Sequence, residues 1–303
     1  MRICSLLPST TEIVCSLGLR DSLVGITHEC DYPPGISNVP VVTESIVDHT
    51  NSTSIEIDRH ISAAVHSGSG IYSIKDVVLN ASKPDLILTQ ELCEVCAVSY
   101  SMVEASIKEL KGEQTVLSFE PINLEGIFES IERIGDFTNV DDISKPLVKD
   151  LRSRVSHVQK KASLANEKPH VLGLEWLDPP FIGGHWVPEM IEVAGGVDVM
   201  GQPGLDSGRC TFKEIQEKDP DIIISIACGH DLEQNVKFAN KLVADPEFRE
   251  LRAVQKNNVW AMDANSYCSR PAPRIVEGTE KLRAIFNNKG KGVEGIERIL
   301  QDG

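Results

Sequence analysis

The sequence predicts an α/β protein of two Rossmann-like lobes with mainly parallel sheets, joined by one long backbone helix. Three observations carry that prediction. Compact apolar runs closed by polar residues alternate with helical sequence along most of the chain, which is the pattern of parallel strands with crossover helices. Residues 141–166 break the alternation with one long amphipathic pattern. The length, 303 residues with 41% hydrophobic and 25% charged, is enough for two ordinary cores.

The first element is a strand from Arg2 to Leu7, followed by a helix that ends at Gly18. Ser9 with Glu12 three residues later reads as a capping box, and Gly18 sits where a left-handed C-terminal cap is expected. A second strand, Leu23 to Ile26, runs into Thr27-His28-Glu29-Cys30-Asp31-Tyr32-Pro33-Pro34, where paired prolines stop either regular structure. Two more strands, beginning at Asp85 and Thr115, close on Gln90-Glu91 and on Phe119-Glu120-Pro121. These elements place a first lobe at residues 1–138.

The interlobe helix is expected over 139–166. Ile143, Leu147, Leu151, Val155, Val158 and Ala162 recur every three or four residues, and Pro146 is tolerated in the first turn. At the usual rise such a helix is about 35 Å long, enough to join two lobes. A second lobe follows over 167–286, in this order: strand His170–Leu174, helix Val187–Ala194, helix Phe212–Glu217, strand Asp221–Ile226, helix Leu232–Leu242, strand Asn258–Met262 and helix Arg274–Phe286. Between the first strand and first helix of this lobe lies a Pro- and Gly-rich turn. The tail, 287–303, reads as a surface appendage.

Charge narrows the partners. With 30 Lys+Arg against 45 Asp+Glu the formal charge is −15, so nucleic acid and anionic membrane surfaces are disfavoured. No apolar run is long enough to span a bilayer, and the N-terminus has no signal-peptide pattern. Eight cysteines are too sparse for a stapled secreted domain. The expectation is therefore a cytoplasmic chain with a small-molecule partner.

In open α/β sheets ligands bind beyond the carboxyl ends of the strands, so the residues closing each strand are the candidate site. In the first lobe these are Ser9, Thr10, His28, Glu29, Tyr32, Gln90 and Glu91. In the second they are Glu175, Trp176, Asp178, Phe181, His185, Trp186 and Tyr267. Two tryptophans flanking a turn where backbone can approach closely make a platform for a large flat ligand. A metal reading runs beside this one. Cys93-Glu94-Val95-Cys96 places two thiolates at zinc-ligand spacing, and Cys30 and His28 are the natural further ligands for zinc or iron. Catalysis is weakly signalled, because no nucleophile elbow, phosphate-binding loop or dinucleotide fingerprint occurs. An acid/base set of Glu175, Asp178 and His185 is the enzymatic alternative.

The opening Arg2-Ile-Cys-Ser-Leu-Leu-Pro-Ser-Thr-Thr-Glu-Ile-Val, the long helix and Asp219-Pro-Asp-Ile-Ile-Ile resemble class III substrate-binding proteins of ABC transporters. Five stretches resemble the subgroup labelled cobalamin-binding proteins. They begin at His28 (His-Glu-Cys-Asp-Tyr-Pro-Pro), Gln90 (Gln-Glu-Leu-Cys-Glu-Val-Cys), Leu174 (Leu-Glu-Trp-Leu-Asp-Pro-Pro-Phe), Gly184 (Gly-His-Trp-Val-Pro-Glu) and Ser269 (Ser-Arg-Pro-Ala-Pro-Arg). The resemblance implies cobalamin or a related corrinoid clamped between the lobes. Tyr32, Tyr72, Trp176, Phe181 and Trp186 would face the macrocycle, polar strand ends would meet its amide fringe, and Arg270 would be a further ligand-binding residue. His28 or His185 would be an axial ligand to cobalt, and an ABC transporter permease would be the partner. A chain without an export signal would instead be an intracellular carrier or sensor.

Overall fold

The computed structural model describes residues 1–45, 72–90 and 113–300. The chain divides into two compact units, one made of Met1–Glu120 and Glu129–Pro146, the other of Pro121–Phe128 and Leu147–Gly303.

The first unit opens with β1 (Ile3–Ser5), α1 (Pro8–Ser16) and β2 (Leu23–Gly25), then β3 (Thr43–Ser45), β4 (Tyr72–Ile74), α2 (Asp76–Ser82), β5 (Leu86–Thr89) and β6 (Thr115–Ser118). Its sheet runs β2-β1-β5-β6, every pair parallel, with Ile3 beside Leu86 and Leu86 beside Thr115. All four residues of β5 are buried, as expected of a central parallel strand covered on both faces. β3 and β4 form a separate antiparallel ribbon.

The expected capping box at Ser9 and Glu12 is absent. Pro8 occupies the first turn and Leu7 is the N-cap, with no side-chain cap bond. Proline's fixed φ and missing N–H suit the first helical position, so the helix starts before Ser9 and draws Ser9, Thr10 and Glu12 into its buried face. Gly18 does take the left-handed conformation, at φ +74°.

Two helices follow: α3 (Leu124–Thr138) and α4 (Asp141–Ala162), the latter 22 residues with Pro146 inside it. The sequence reading anticipates α4 and misses α3, although Leu124, Ile127, Phe128, Ile131 and Ile134 lie at helical spacing and all are buried. Gly135 on α3 meets Ser144 on α4, where a Cβ would stand 2.2 Å from the Ser144 hydroxyl oxygen.

The second unit contains β7 (His170–Leu177), β8 (Pro180–Ile182), α5 (Val187–Val193), β9 (Val197–Asp198), β10 (Gly208–Arg209) and α6 (Phe212–Lys218). It continues with β11 (Ile222–Ser225), α7 (Leu232–Ala244), α8 (Arg252–Gln255), β12 (Val259–Met262), α9 (Ala264–Tyr267), α10 (Ile275–Phe286) and β13 (Ile296–Ile299). The sheet order is β10-β8-β7-β11-β12-β13, with β9 paired to β7. β7, β11 and β12 are parallel, while β8, β10 and β13 run antiparallel at the two sides. Leu172, Ile223 and Val259 from these central strands pack with Leu242, Phe248, Val254 and Ile299 in one core.

Two expectations change here. The Pro-rich segment after Leu174 is not a loop: β7 continues to Leu177 and pairs with β8, placing Trp176 beside Phe181. Pro180 is the first residue of β8, a position where a missing N–H costs the ladder least. The tail is not an appendage either. β13 closes the free edge of β12, and Ile296 and Ile299 are both buried. Three residues apart on a strand they face opposite sides, and the sheet is covered on both.

Candidate functional site

Arg252 clamps the amino ends of the second unit's strands. Its guanidinium bonds Asp219 (3.1 Å) and Asp221 (2.8 Å), and Asp221 in turn accepts from the His170 backbone N–H at 3.0 Å. The carboxyl ends of the same strands carry the candidate chemistry.

Glu175, on β7, is half-buried. Its Oε2 accepts from the Ser207 hydroxyl at 2.5 Å, and its Oε1 lies 3.4 Å from the Gly184 N–H. Ser207 reaches it because residues 184 and 207 approach as only glycine allows: a Cβ on Gly184 would stand 2.2 Å from the Ser207 nitrogen. His185 fixes the same loop through its backbone, donating to Leu205 O at 2.6 Å and accepting from Gly204 N at 2.9 Å. It does so at φ +52°, in the left-handed region. Its Nε2 is 3.3 Å from Asp206 Oδ1. Burial pushes the His185 pKa below the ordinary 6.5, against a smaller opposing pull from Asp206.

Trp176 is half-buried beside Phe181. Its ring stands edge-on to His230 at 5.3 Å and 87°, with Phe238 at 6.0 Å. Its buried indole N–H has no hydrogen-bond partner among the described residues. Arg209 lies over Phe181 at 5.4 Å. Asp178 is exposed in the turn between β7 and β8.

Trp186 departs from the expectation. It is 7% exposed and its Nε1 donates to Cys268 O at 2.7 Å, so it is a wall of the core and no open platform. Tyr267 is occupied elsewhere too: Lys281 Nζ sits 4.3 Å over its ring, and its edge packs against Gly295. Arg270 is half-buried.

In the first unit, the segment after β2 folds onto the β3–β4 ribbon. His28 Nδ1 is 2.8 Å from Thr43 Oγ1, and the Tyr72 hydroxyl donates to Glu29 Oε1 at 2.7 Å. The His28 and Tyr72 rings are 5.2 Å apart. Tyr32 is 38% exposed, whereas Tyr72 and Gln90 are buried. Ser9 and Thr10 are buried as well, and Thr10 Oγ1 is 2.6 Å from Ser5 Oγ; both belong to the wall behind the strand end.

The metal reading gains no geometry. Cys30 Sγ lies 3.1 Å from Thr11 Oγ1 and 3.3 Å from Thr27 Oγ1, and His28 is engaged with Thr43. Among the described residues no three His, Cys, Asp or Glu side chains gather as metal ligands. Glu91, Cys93 and Cys96 lie outside the described residues.

Sequence reasoning overlooked Ser207, His230 and Asn235. Asn235 is fully buried; its Oδ1 accepts from Ser225 Oγ (2.9 Å) and Ala227 N (2.8 Å), and its Nδ2 donates to His230 O (3.2 Å). A signal existed, since Asp231 and Gln234 form the capping box that opens α7 and so fix where His230 must sit.

A sequence profile of the periplasmic binding proteins matches residues 3–266. The vitamin B12-binding protein of Vibrio cholerae is 23% identical over 291 residues, covering 93% of this chain and 87% of that protein. Among solved structures, the apo periplasmic heme-binding protein RhuT of Roseiflexus sp. RS-1 superposes with a TM-score of 0.72 at 18% identity, covering 96% of this chain and 99% of that one. The periplasmic vitamin B12 binding protein BtuF of Vibrio cholerae does so with a TM-score of 0.69 at 22% identity, covering 96% and 98%. No described helix is long and apolar enough to cross a membrane. With the expected class III fold present and the profile spanning most of its length, the chain belongs to the periplasmic binding protein family, the substrate-binding proteins of ABC transporters.

Proposed function

We propose that this chain is a non-catalytic binding protein whose cargo is a corrinoid of the cobalamin class, delivered to an ABC transporter permease. The observation that carries the reading is the Trp176 cluster. A half-buried indole at a strand's carboxyl end has a buried N–H without a partner among the described residues, and the residue before it in the chain, Glu175, is paired with Ser207. An aromatic face suits a large apolar ring, while an unpaired buried donor and a half-buried carboxylate suit a rim of amides, each of which offers an acceptor and a donor. Tyr32 and Phe181 supply further aromatic surface on their own units. The vitamin B12-binding relatives point the same way.

Heme is the second reading, favoured by the heme-binding protein among the solved structures of the same fold. Titration with cyanocobalamin and with hemin, followed by tryptophan fluorescence and visible absorbance, decides between them. Saturable cyanocobalamin binding is expected, weakened at least about tenfold in Trp176→Ala, as for loss of a central aromatic contact. Saturation by hemin alone would transfer the assignment to heme, and binding of neither would overturn both.

A further inference from the structure

We infer that the Trp176 indole N–H is reserved for the cargo, an inference that rests on the binding function proposed above. On binding, the ring turns about its side-chain torsion and donates to a carbonyl or carboxylate oxygen on the cargo's rim. Three features of the second unit converge on this residue.

The first is a contrast among the three tryptophans of the chain. Trp186 donates its indole N–H to Cys268 O at 2.7 Å, and Trp260 donates to Asn258 Oδ1 at 3.1 Å. The Trp176 N–H is buried too, and it meets no acceptor among the described residues. Buried tryptophans usually pair this donor, and leaving it unpaired costs more than a made hydrogen bond contributes. The resting position of the ring is therefore one that a well-placed acceptor can displace.

The second is a pinned backbone under a movable ring. Trp176 pairs with Phe181 across β7 and β8, and the residue before it is anchored to the segment after β11, where the Cys228 N–H donates to Glu175 O at 3.3 Å. The β7–β8 register slips between Leu174, which faces Ile182, and Trp176, which faces Phe181. Such an extra residue bends a strand and re-aims its side chains, a device common next to functional sites. With the backbone held, the side-chain torsions are left to change, and the outer torsion of tryptophan is broad and roughly two-fold. Turning it carries the N–H to the opposite side of the ring.

The third is the surroundings. Trp176 is half-buried, and the His230 and Phe238 rings stand at 87° and 53° to it, so neither stacks flat on the indole. Gly229, next to His230 in the chain, has no atom within 4 Å of where a Cβ would be. The loop that meets the ring is thus uncrowded.

An indole N–H only donates, so it recognises an oxygen and gives nothing to a hydrocarbon edge. The cargo class is a large ring edged with amide carbonyls or carboxylates. Cyanocobalamin carries the former and hemin the latter.

The test uses the full chain with Trp176 replaced by β-(3-benzothienyl)alanine, in which sulfur takes the place of the N–H and the ring shape is kept. Affinity for cyanocobalamin or for hemin should fall about fivefold, the size of one hydrogen bond. The melting temperature of the cargo-free chain should stay the same or rise, because the group removed has no partner to lose. A merely structural tryptophan predicts the reverse, a lower melting temperature with unchanged cargo affinity. In spectra of the 15N-tryptophan-labelled chain, the indole signal that Trp176→Phe removes should shift on saturation with cyanocobalamin, or with gallium protoporphyrin where hemin is the responder. Response to cyanocobalamin alone supports an amide acceptor, and response to hemin alone supports a carboxylate. Unchanged affinity in the sulfur variant, a lower melting temperature of its cargo-free chain, or an unmoved Trp176 signal overturns the reserved donor and leaves the binding function standing. Failure of both ligands to bind the unmodified chain overturns both.

Discussion

His185 shows how one residue can serve a loop and still titrate. Its backbone holds Gly204 and Leu205, while its ring is buried deeply enough to disfavour the charged form. Because the folded pKa lies below the unfolded value of 6.5, the unfolded chain binds the proton more readily. This contribution to stability is therefore complete above about pH 6.5 and declines as the pH falls toward the folded pKa. Urea unfolding at about pH 7.5 and about pH 5.5 should show lower stability at the acid value, and His185→Gln should flatten the difference. An equal slope in the variant would remove His185 from that role. Glu175 and Trp176 were legible in the sequence because polar and aromatic residues ending a β-strand run announce themselves locally. Ser207 was not, since its bond to Glu175 spans 32 residues and depends on the close approach at Gly184.

At the scale of elements, helices and strands compete for the same apolar residues. Ile296 and Ile299 look like a helical stripe, and only the open edge of β12 makes them a strand. If β13 is integral to the core, Ile299→Ala costs about 2–5 kcal/mol in chemical denaturation, as buried isoleucine truncations do. A loss below about 0.5 kcal/mol would return the segment to the surface. The α3–α4 contact makes a second prediction. Alanine favours a helix over glycine by about 1 kcal/mol, yet Gly135→Ala should destabilise, because the added methyl has to displace the Ser144 side chain or part the helices. Gly135→Ala with Ser144→Ala should recover part of the loss. The strand and helix alternation was readable because each run is short and bounded by Gly, Pro or charge. α3 is equally periodic, but only Asn139 and Val140 separate it from α4, so the sequence does not mark where one helix ends and the next begins.

For the whole molecule, cargo and stability are linked. Any ligand that binds only the folded chain raises its unfolding free energy, by about 2.7 kcal/mol at a hundredfold excess over Kd. Cyanocobalamin at that excess should raise the melting temperature, and Trp176→Ala should need a higher concentration for the same rise. No shift at a concentration that saturates the fluorescence change would mean that the ligand also binds the unfolded chain. The two-unit architecture was readable from length, alternation and one long amphipathic stretch. What the unit boundary does to the chain was not, because a sequence carries no mark where a helix passes from one core to the other.

That boundary has a consequence for descent. The chain belongs to the first unit to Glu120, to the second to Phe128, to the first again to Pro146, and to the second thereafter. Residues 121–128 include Leu124, whose N–H donates to Glu189, and Glu125, which is paired with Arg152. A single cut after residue 120 leaves the first unit without 129–146, and a cut after 146 takes 121–128 from the second. A single crossover between two chains of this architecture therefore cannot exchange either unit whole, because any one junction splits the first unit or carries 121–128 away from the second.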